Sequence, residues 1–535
     1  VKDWLARIPR WLIALLAGAA AALAHPPWGL LPGLLGYAVL LWLVDEAATA
    51  DRPLRSAFWR GWLAGAAYFG IGTWWVAEAF LVDIAAHGWM APFAVLLMAG
   101  GVALFWGAAA LAYRWIGATD LTRPVIFAGV FTAFEWLRGH VLTGFPWNLP
   151  GETWRAGSAM SQSASLFGAY GLTFVTLAIA CTFVLWSRRS EGRPRYIPLG
   201  VAAGLLGALW TWGAMRIADA EPDHSEGVRV RIVQADVKQA AKYDPAHFRR
   251  IVDAYVDLTR RPPPQGRGPA HIVIWPEGAI PASANEYLAP GAWTRDAIEG
   301  ALAPGQILMV GAYRFETAQQ VYNSLVVVER SPTRGLVPIG VYDKYRLVPF
   351  GEYMPLDGLA TKLGFKTLVK VGDGFAAGPP PQPLVIADLP VFQPLICYEA
   401  LYPGFVQAGR RASGQTPDFI VNVSNDAWFG STSGPRQHLN LASYRAIESG
   451  VPILRSTPTG VSAVIDALGR TGPGALDLGE TGVIDAVIPQ QRFETLYNRL
   501  GDWPLIIALG FTLGLILRIR VVLPLKRRQN GVKGG

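Results

Sequence analysis

The chain has 535 residues, of which 52% are hydrophobic and only 16% charged, so it is too long for one ordinary domain and too apolar for an ordinary soluble one. Its 21 tryptophans fit a chain that meets a bilayer, because indole rings favour the membrane interface. The net charge of +8 sits in short loops between apolar runs and at the C-terminus, without zinc-type spacing, a Walker loop or a long basic tract, which argues against nucleic-acid binding.

In chain order, apolar stretches of spanning length fall at 11–24, 29–44, 61–82, 89–117, 124–141, 166–186, 197–217 and 504–523. The break at His25-Pro-Pro reads as a tight turn. No convincing small-residue cleavage site follows the first stretch, so it is expected to be an anchor. Basic residues cluster before the first span (Lys2, Arg7, Arg10), between the second and third (Arg52, Arg55, Arg60), and between the fourth and fifth (Arg114, Arg123). Further clusters separate the sixth and seventh (Arg188, Arg189, Arg193, Arg195) and end the chain (Arg518, Arg520, Lys526, Arg527, Arg528). With eight spans all five clusters share one face, which the positive-inside rule makes the cytoplasm. Both termini are then cytoplasmic and the segment 218–503 is extracytoplasmic. Three parts follow: a seven-span membrane domain (1–217), a catalytic domain (218–503), and a last span with a basic tail (504–535). Glu135, in an apolar span, has Arg138 one turn later and reads as half of a local ion pair.

The segment 218–503 changes texture. Short β-rich runs recur at 228–234, 271–275, 307–313, 324–328, 391–397, 418–424, 461–467 and 482–488, with helical stretches at 245–258 and 437–449. This is an α/β pattern with buried strands. The Gly- and Pro-rich stretch 351–390 reads as a long excursion, and such loops often carry function. Of the two cysteines, Cys181 lies in an apolar run as a small core residue and Cys397 lies in the polar domain; two free thiols are expected.

Three segments share one design, an apolar strand that ends on a reactive residue: Ile272-Val-Ile-Trp-Pro-Glu277, Val341-Tyr-Asp-Lys344 and Pro394-Leu-Ile-Cys397-Tyr-Glu399. Strand ends hold catalytic groups rigidly. A free thiol has a pKa of about 8.5 and needs a base. A nearby carboxylate would supply general-base help of roughly 10²–10⁴-fold. A lysine ammonium would stabilise a tetrahedral oxyanion, where one donor is worth about 2.7–4 kcal/mol. Glu352, in Leu347-Val-Pro-Phe-Gly-Glu352, could keep that lysine protonated. The spacing of these residues along the chain does not by itself prove that they converge.

Trp275-Pro-Glu277, Lys344 with the following Leu347–Glu352 run, and Cys397-Tyr-Glu399 resemble the nitrilase superfamily, whose catalytic set is Glu, Lys and Cys in that order. The flanking spans, Ser424-Asn-Asp-Ala-Trp-Phe-Gly430, Ser433-Gly-Pro-Arg-Gln-His438 and Arg455-Ser-Thr-Pro-Thr-Gly460 resemble the apolipoprotein N-acyltransferase family. The resemblance covers nearly the whole chain. It implies a multi-span α-helical membrane domain joined to an α/β nitrilase-like αββα sandwich. It further implies Glu277 as general base, Lys344 as oxyanion stabiliser and Cys397 as acylated nucleophile. Supporting positions would be Glu352, Tyr398, Glu399 and Asn323, with Tyr243 and Trp428 on the substrate. The chain departs from the family pattern at Gly278, where a hydroxyl residue is usual, at Gln234-Ala-Asp, and at Tyr243, where Trp is usual.

The implied reaction takes a fatty acyl chain from a phospholipid onto Cys397, then passes it to the α-amine of a diacylglyceryl-modified lipoprotein. No metal or other cofactor is called for. Drawing a chain of about fifteen methylenes into water would cost on the order of 12 kcal/mol, which explains why such a thiol belongs at a bilayer. A monomer in a bacterial inner membrane, catalysing on the periplasmic side, is the resulting expectation. The stretch Leu359–Val371 reads equally as an interfacial lid over the site and as a solvated loop with incidental apolar residues. Two other readings share these residues: a membrane-tethered amidase acting on a small amide, and a scaffold or transporter with an inactive nitrilase domain.

Overall fold

The computed structural model of the chain describes residues 8–118, 121–186, 196–220, 226–266, 268–354 and 374–522. The expected lid, 359–371, lies outside them. The chain divides into two compact units, one of residues 1–77, 89–219 and 499–535, the other of 78–88 and 220–498.

The first unit is helical. Its long helices run over Arg10–Leu23, Leu35–Glu46, Pro53–Gly72, Ala91–Ile116, Arg123–Arg138, Ala164–Cys181, Tyr196–Ala218 and Trp503–Leu517. Among the described residues, five helical stretches are long and apolar enough to cross a membrane: 31–49, 84–116, 160–185, 196–218 and 503–521. Proline stands in the first turn of the helices starting at Pro53, Ala91, Arg123 and Trp503, where its missing N–H is not needed. The helix beginning at Pro53 stops at Gly72, ten residues short of the apolar run. Thr73 caps it by donating to Phe69 O, and the chain resumes as short helices at Val76–Leu81 and Ile84–His87. Small residues let helices approach closely: a Cβ at Gly18 would overlap the backbone of Ala64. Glu135 and Arg138 form the expected local ion pair, fully buried, and Trp106 Nε1–H donates to Glu135 Oε1 at 2.6 Å. Asp45 is treated alike, paired with Arg123 at 2.5 Å. Cys181 is buried and free, as is Cys397.

The second unit is built on two sheets. One has six strands in the order β10-β1-β2-β3-β4-β5, with β1 at Arg229–Gln234, β2 at Ile272–Trp275, β3 at Ile307–Phe315, β4 at Val321–Ser331, β5 at Gly335–Asp343 and β10 at Gly482–Val487. The other has the order β6-β7-β8-β9, with β6 at Phe392–Ile396, β7 at Phe419–Val423, β8 at Ile453–Ser456 and β9 at Ala463–Ile465. Residues alternate faces along each strand. Val230, Ile232, Ile272, Ile274 and Met309 meet Phe392, Ile396, Phe419, Val421 and Leu454 of the other sheet in a shared core. From the opposite face of the larger sheet, Val233, Val273, Trp275 and Leu308 pack on Ile251, Val252, Tyr255 and Ile298 of the helices Phe248–Arg260 and Trp293–Glu299. Strands β6, β7 and β8 are parallel, so Phe405–Ser413 and Gly434–Ser449 are crossover helices and cover the smaller sheet from outside. This is the αββα sandwich expected. Strand β5 runs back well beyond the short strand expected before Lys344, as an edge strand with mixed burial, and β8, only four residues long, is an addition.

Candidate active site

Glu277, Lys344 and Cys397 follow the ends of β2, β5 and β6, and the pairing of the strands brings those ends together. Lys344 N donates to Asn323 O at 2.8 Å, which extends the β4–β5 ladder by one residue and fixes where the lysine departs. Its Nζ lies 3.3 Å from Glu277 Oε1 and 2.9 Å from Glu352 Oε1. Asn323 Nδ2 donates to the same two oxygens, at 2.6 and 2.8 Å. Glu352 Oε2 accepts from Val348 N at 2.8 Å, so the second carboxylate is held by its own loop. Burial acts to lower the lysine pKa, but the charges of Glu277 and Glu352 outweigh it and hold the ammonium well above its ordinary value.

Glu277 is left with one open position. Its Oε2 is buried and has no hydrogen-bond partner among the described residues, whereas Oε1 receives both Asn323 and Lys344. The loop that carries Glu277 presses on β3: a Cβ at Gly311 would lie 2.8 Å from Glu277 N, so only glycine fits there.

Cys397 has φ +48°, a left-handed conformation uncommon for a residue with a side chain. It begins the tight turn Cys397–Leu401, and Glu399 holds that turn in place. Glu399 Oε2 accepts from Ile396 N at 2.8 Å. Its Oε1 accepts from Tyr342 OH at 2.9 Å, Tyr345 N at 2.8 Å and Arg346 N at 3.2 Å. One carboxylate thus ties the nucleophile turn to the backbone just after Lys344. Burial pushes the Glu399 carboxyl up to about 7, against the lowering effect of its hydrogen bonds and of Lys344. Burial first, then the charge of Glu277, pushes the Cys397 thiol well above its ordinary value, more than Lys344 lowers it. Tyr398 packs against Tyr402 with ring centroids 5.4 Å apart. The Tyr243 and Trp428 rings meet edge-on with centroids 6.4 Å apart, and Tyr243 is 39% exposed.

Several contributors carried no role in the sequence reading. His438 Nδ1–H donates to Asp426 Oδ1 at 2.9 Å, and its Nε2 stands 3.2 Å from Cys397 O. Burial lowers the imidazole pKa, more than Asp426 raises it. Asp426 Oδ2 pairs with Arg455 at 2.6 Å, and Arg455 also binds Asn422 on β7. Burial would raise the Asp426 carboxyl, but Arg455 and His438 bring it down to about 2. The long motifs around Ser424, His438 and Arg455 thus form a buried polar brace behind the nucleophile. Gln234 is part of the framework, its Oε1 accepting from Thr457 and Ser462 at 3.1 and 2.6 Å. Lys242, next to Tyr243, reaches Asn425 Oδ1 at 3.3 Å. Nothing in the residue pattern around Lys242 marks it out beyond its adjacency to Tyr243.

Residues 17–182 match the model of the apolipoprotein N-acyltransferase N-terminal domain, and residues 229–497 match that of the carbon-nitrogen hydrolases. The chain is 59% identical to an apolipoprotein N-acyltransferase of Caulobacter vibrioides over 92% of this chain and 91% of that one. It is 38% identical to one of Bradyrhizobium diazoefficiens over 96% and 95% of the two chains. Among solved structures it is similar to an amidase from Nesterenkonia sp. AN1, at 19% identity and a TM-score of 0.35, covering 52% of this chain and 98% of that one. Matched along both units and over nearly the full length of its relatives, the chain belongs to the apolipoprotein N-acyltransferase family.

Proposed function

We propose that Glu277, Lys344 and Cys397 carry out an N-acyl transfer in two half-reactions through a thioester. Glu277 Oε2 takes the thiol proton as Cys397 Sγ attacks the carbonyl carbon of a phospholipid ester. Lys344 stabilises the oxyanion that forms. The tetrahedral species collapses, the ester C–O bond breaks, and Glu277 returns the proton to the departing lysophospholipid hydroxyl. The α-amine of a lipid-modified N-terminal cysteine then attacks the thioester. Glu277 removes the amine proton and gives it to the leaving Cys397 sulfur, which restores the enzyme. One ester and one amine become one alcohol and one amide, so neither a nucleotide nor a metal is required.

The observation that carries this assignment is the unpartnered Oε2 of Glu277 on a carboxylate whose other oxygen is fixed by Lys344 and Asn323. Glu352, Asn323, Glu399 and Tyr398 position these groups, and Tyr243 with Trp428 contacts substrate. For placement, residues 1–217 and 504–535 form the membrane domain and 218–503 the catalytic domain. The enzyme is a monomer in the bacterial inner membrane, its catalytic domain periplasmic and its termini cytoplasmic. The support is that the five basic clusters share one face if all eight apolar stretches of the sequence span the membrane.

The test is the intact mass of detergent-purified protein incubated with phospholipid. A long-chain acyl increment that hydroxylamine removes and Cys397→Ala abolishes is expected. No adduct on a Cys397 that still reacts with a thiol reagent would overturn the assignment and favour hydrolysis of a small amide.

A further inference from the structure

Beside the catalytic carboxylate lies a second lysine that the mechanism does not use. Lys242 closes the short helix Gln239–Lys242, and its Nζ leans over the residue after the base: a Cβ on Gly278 would lie 3.5 Å from it. The charge of Glu277 reaches it. Yet Lys242 forms no ion pair among the described residues, and its one hydrogen bond goes to the neutral Oδ1 of Asn425, at 3.3 Å. Asn425 is itself held, its Nδ2 donating to Gln239 Oε1 at 3.0 Å, so the amide cannot turn away. Burial lowers the Lys242 pKa to about 8, more than Glu277 raises it.

An ammonium has three donors, and among the described residues only one of them is used. Lys344 is satisfied by two carboxylates; Lys242 is a half-buried cation that forms no ion pair among the described residues. Such a group is stabilised by any anion delivered to it, and a charge-assisted bond of that kind is about twice as strong as a neutral one. The acyl donor proposed above carries a phosphodiester a few bonds from the ester that Cys397 attacks, whereas a diacylglyceryl-modified acceptor carries none at its lipid. We propose that Lys242, steadied by Asn425, binds the phosphate of the phospholipid donor and so selects phospholipid over uncharged glycerides in the first half-reaction. This rests on the thioester mechanism above and names a specificity residue for it.

The experiment compares two donors of the same acyl chains, phosphatidylethanolamine and diacylglycerol, by the rate at which full-length protein in detergent gains the Cys397 thioester. Wild type should acylate at least tenfold faster from the phospholipid. Lys242→Met should lose that advantage, falling about tenfold with phospholipid and staying unchanged with diacylglycerol, while Lys242→Arg keeps most of it. Lys242→Gln retains a polar tip beside Asn425 and guards against a folding defect. Transfer from a preformed acyl-enzyme to a lipopeptide should be unaffected. Equal wild-type rates with the two donors would overturn the proposal without any variant. So would an equal fall with both donors in Lys242→Met, which would mean that the lysine positions Glu277. A wild-type enzyme that gains no thioester from either donor would instead refute the thioester mechanism itself.

Discussion

Glu399 offers the sharpest test of how the site is held. Its carboxylate accepts four hydrogen bonds, three from backbone N–H groups of Tyr345, Arg346 and Ile396 and one from Tyr342 OH, and it is wholly buried. Glu399→Ala would orphan four donors at about 1–3 kcal/mol each, a total comparable with the whole stability of a domain. Glu399→Gln is the informative change. It keeps one carbonyl oxygen and turns an N–H toward a donor, a cost of about 1–3 kcal/mol. Against this, the wild-type carboxyl moves from 4.5 to about 7 on folding, which at 1.36 kcal/mol per pH unit makes its ionised form roughly 3 kcal/mol unfavourable. Glutamine does not carry that burden, so the two effects offset and the variant should fold. The clamp between the Cys397 turn and the Lys344 backbone is nevertheless loosened, and misplacement by about 1 Å costs on the order of 10²-fold. Thermal unfolding should therefore change little while thioester formation falls about a hundredfold. The sign of the pH dependence follows from the raised pKa. Between about 4.5 and 7 the folded state binds more protons than the unfolded, so this group favours folding less as pH rises through that window, and its penalty is constant above it. The clamp itself needs the ionised form, so activity should climb through about pH 7 in wild type and lose that limb in Glu399→Gln. Wild-type acylation rates in Glu399→Gln, with the same pH profile, would refute the reasoning.

Lys344→Met should lower thioester formation by roughly 10²–10³-fold, and it should also lower the melting temperature because Glu277 and Glu352 then face each other buried without their cation. Arg455→Met strands Asp426 beside His438 and should destabilise the protein by about 3–5 kcal/mol in denaturant unfolding. The Asp426 carboxyl is held down to about 2, so its stabilisation is complete above its ordinary 3.8 and is lost as pH falls through 2; the gap between wild type and Arg455→Met should narrow in acid. Gly311→Ala changes no side chain of the site, yet its Cβ would push on Glu277 N, and acylation measured by intact mass should drop on the order of 10²-fold.

The reactive residues were legible in the sequence because each directly follows an apolar β run, and strand ends are where a sheet presents groups rigidly. The apolar helices were legible for a similar reason: length and hydropathy are local properties, and the Glu135–Arg138 pair is set by helical spacing alone. Strand β8 and the first part of edge strand β5 were not, since one is four residues long and the other mixes burial along its length. The end of the third helix at Gly72 also escaped, because the apolar run continues past it while the chain turns. What only the tertiary structure decided is which groups are spoken for. Asn323 and Lys344 occupy one oxygen of Glu277 and leave the other open, Glu399 joins two distant loops, and Arg455 braces Asp426 from another strand. Sequence determines which residues can accept, donate or carry charge; hydrogen-bond saturation depends on three-dimensional neighbours, and it alone separates the base from the clamp and the paired lysine from the unpaired one.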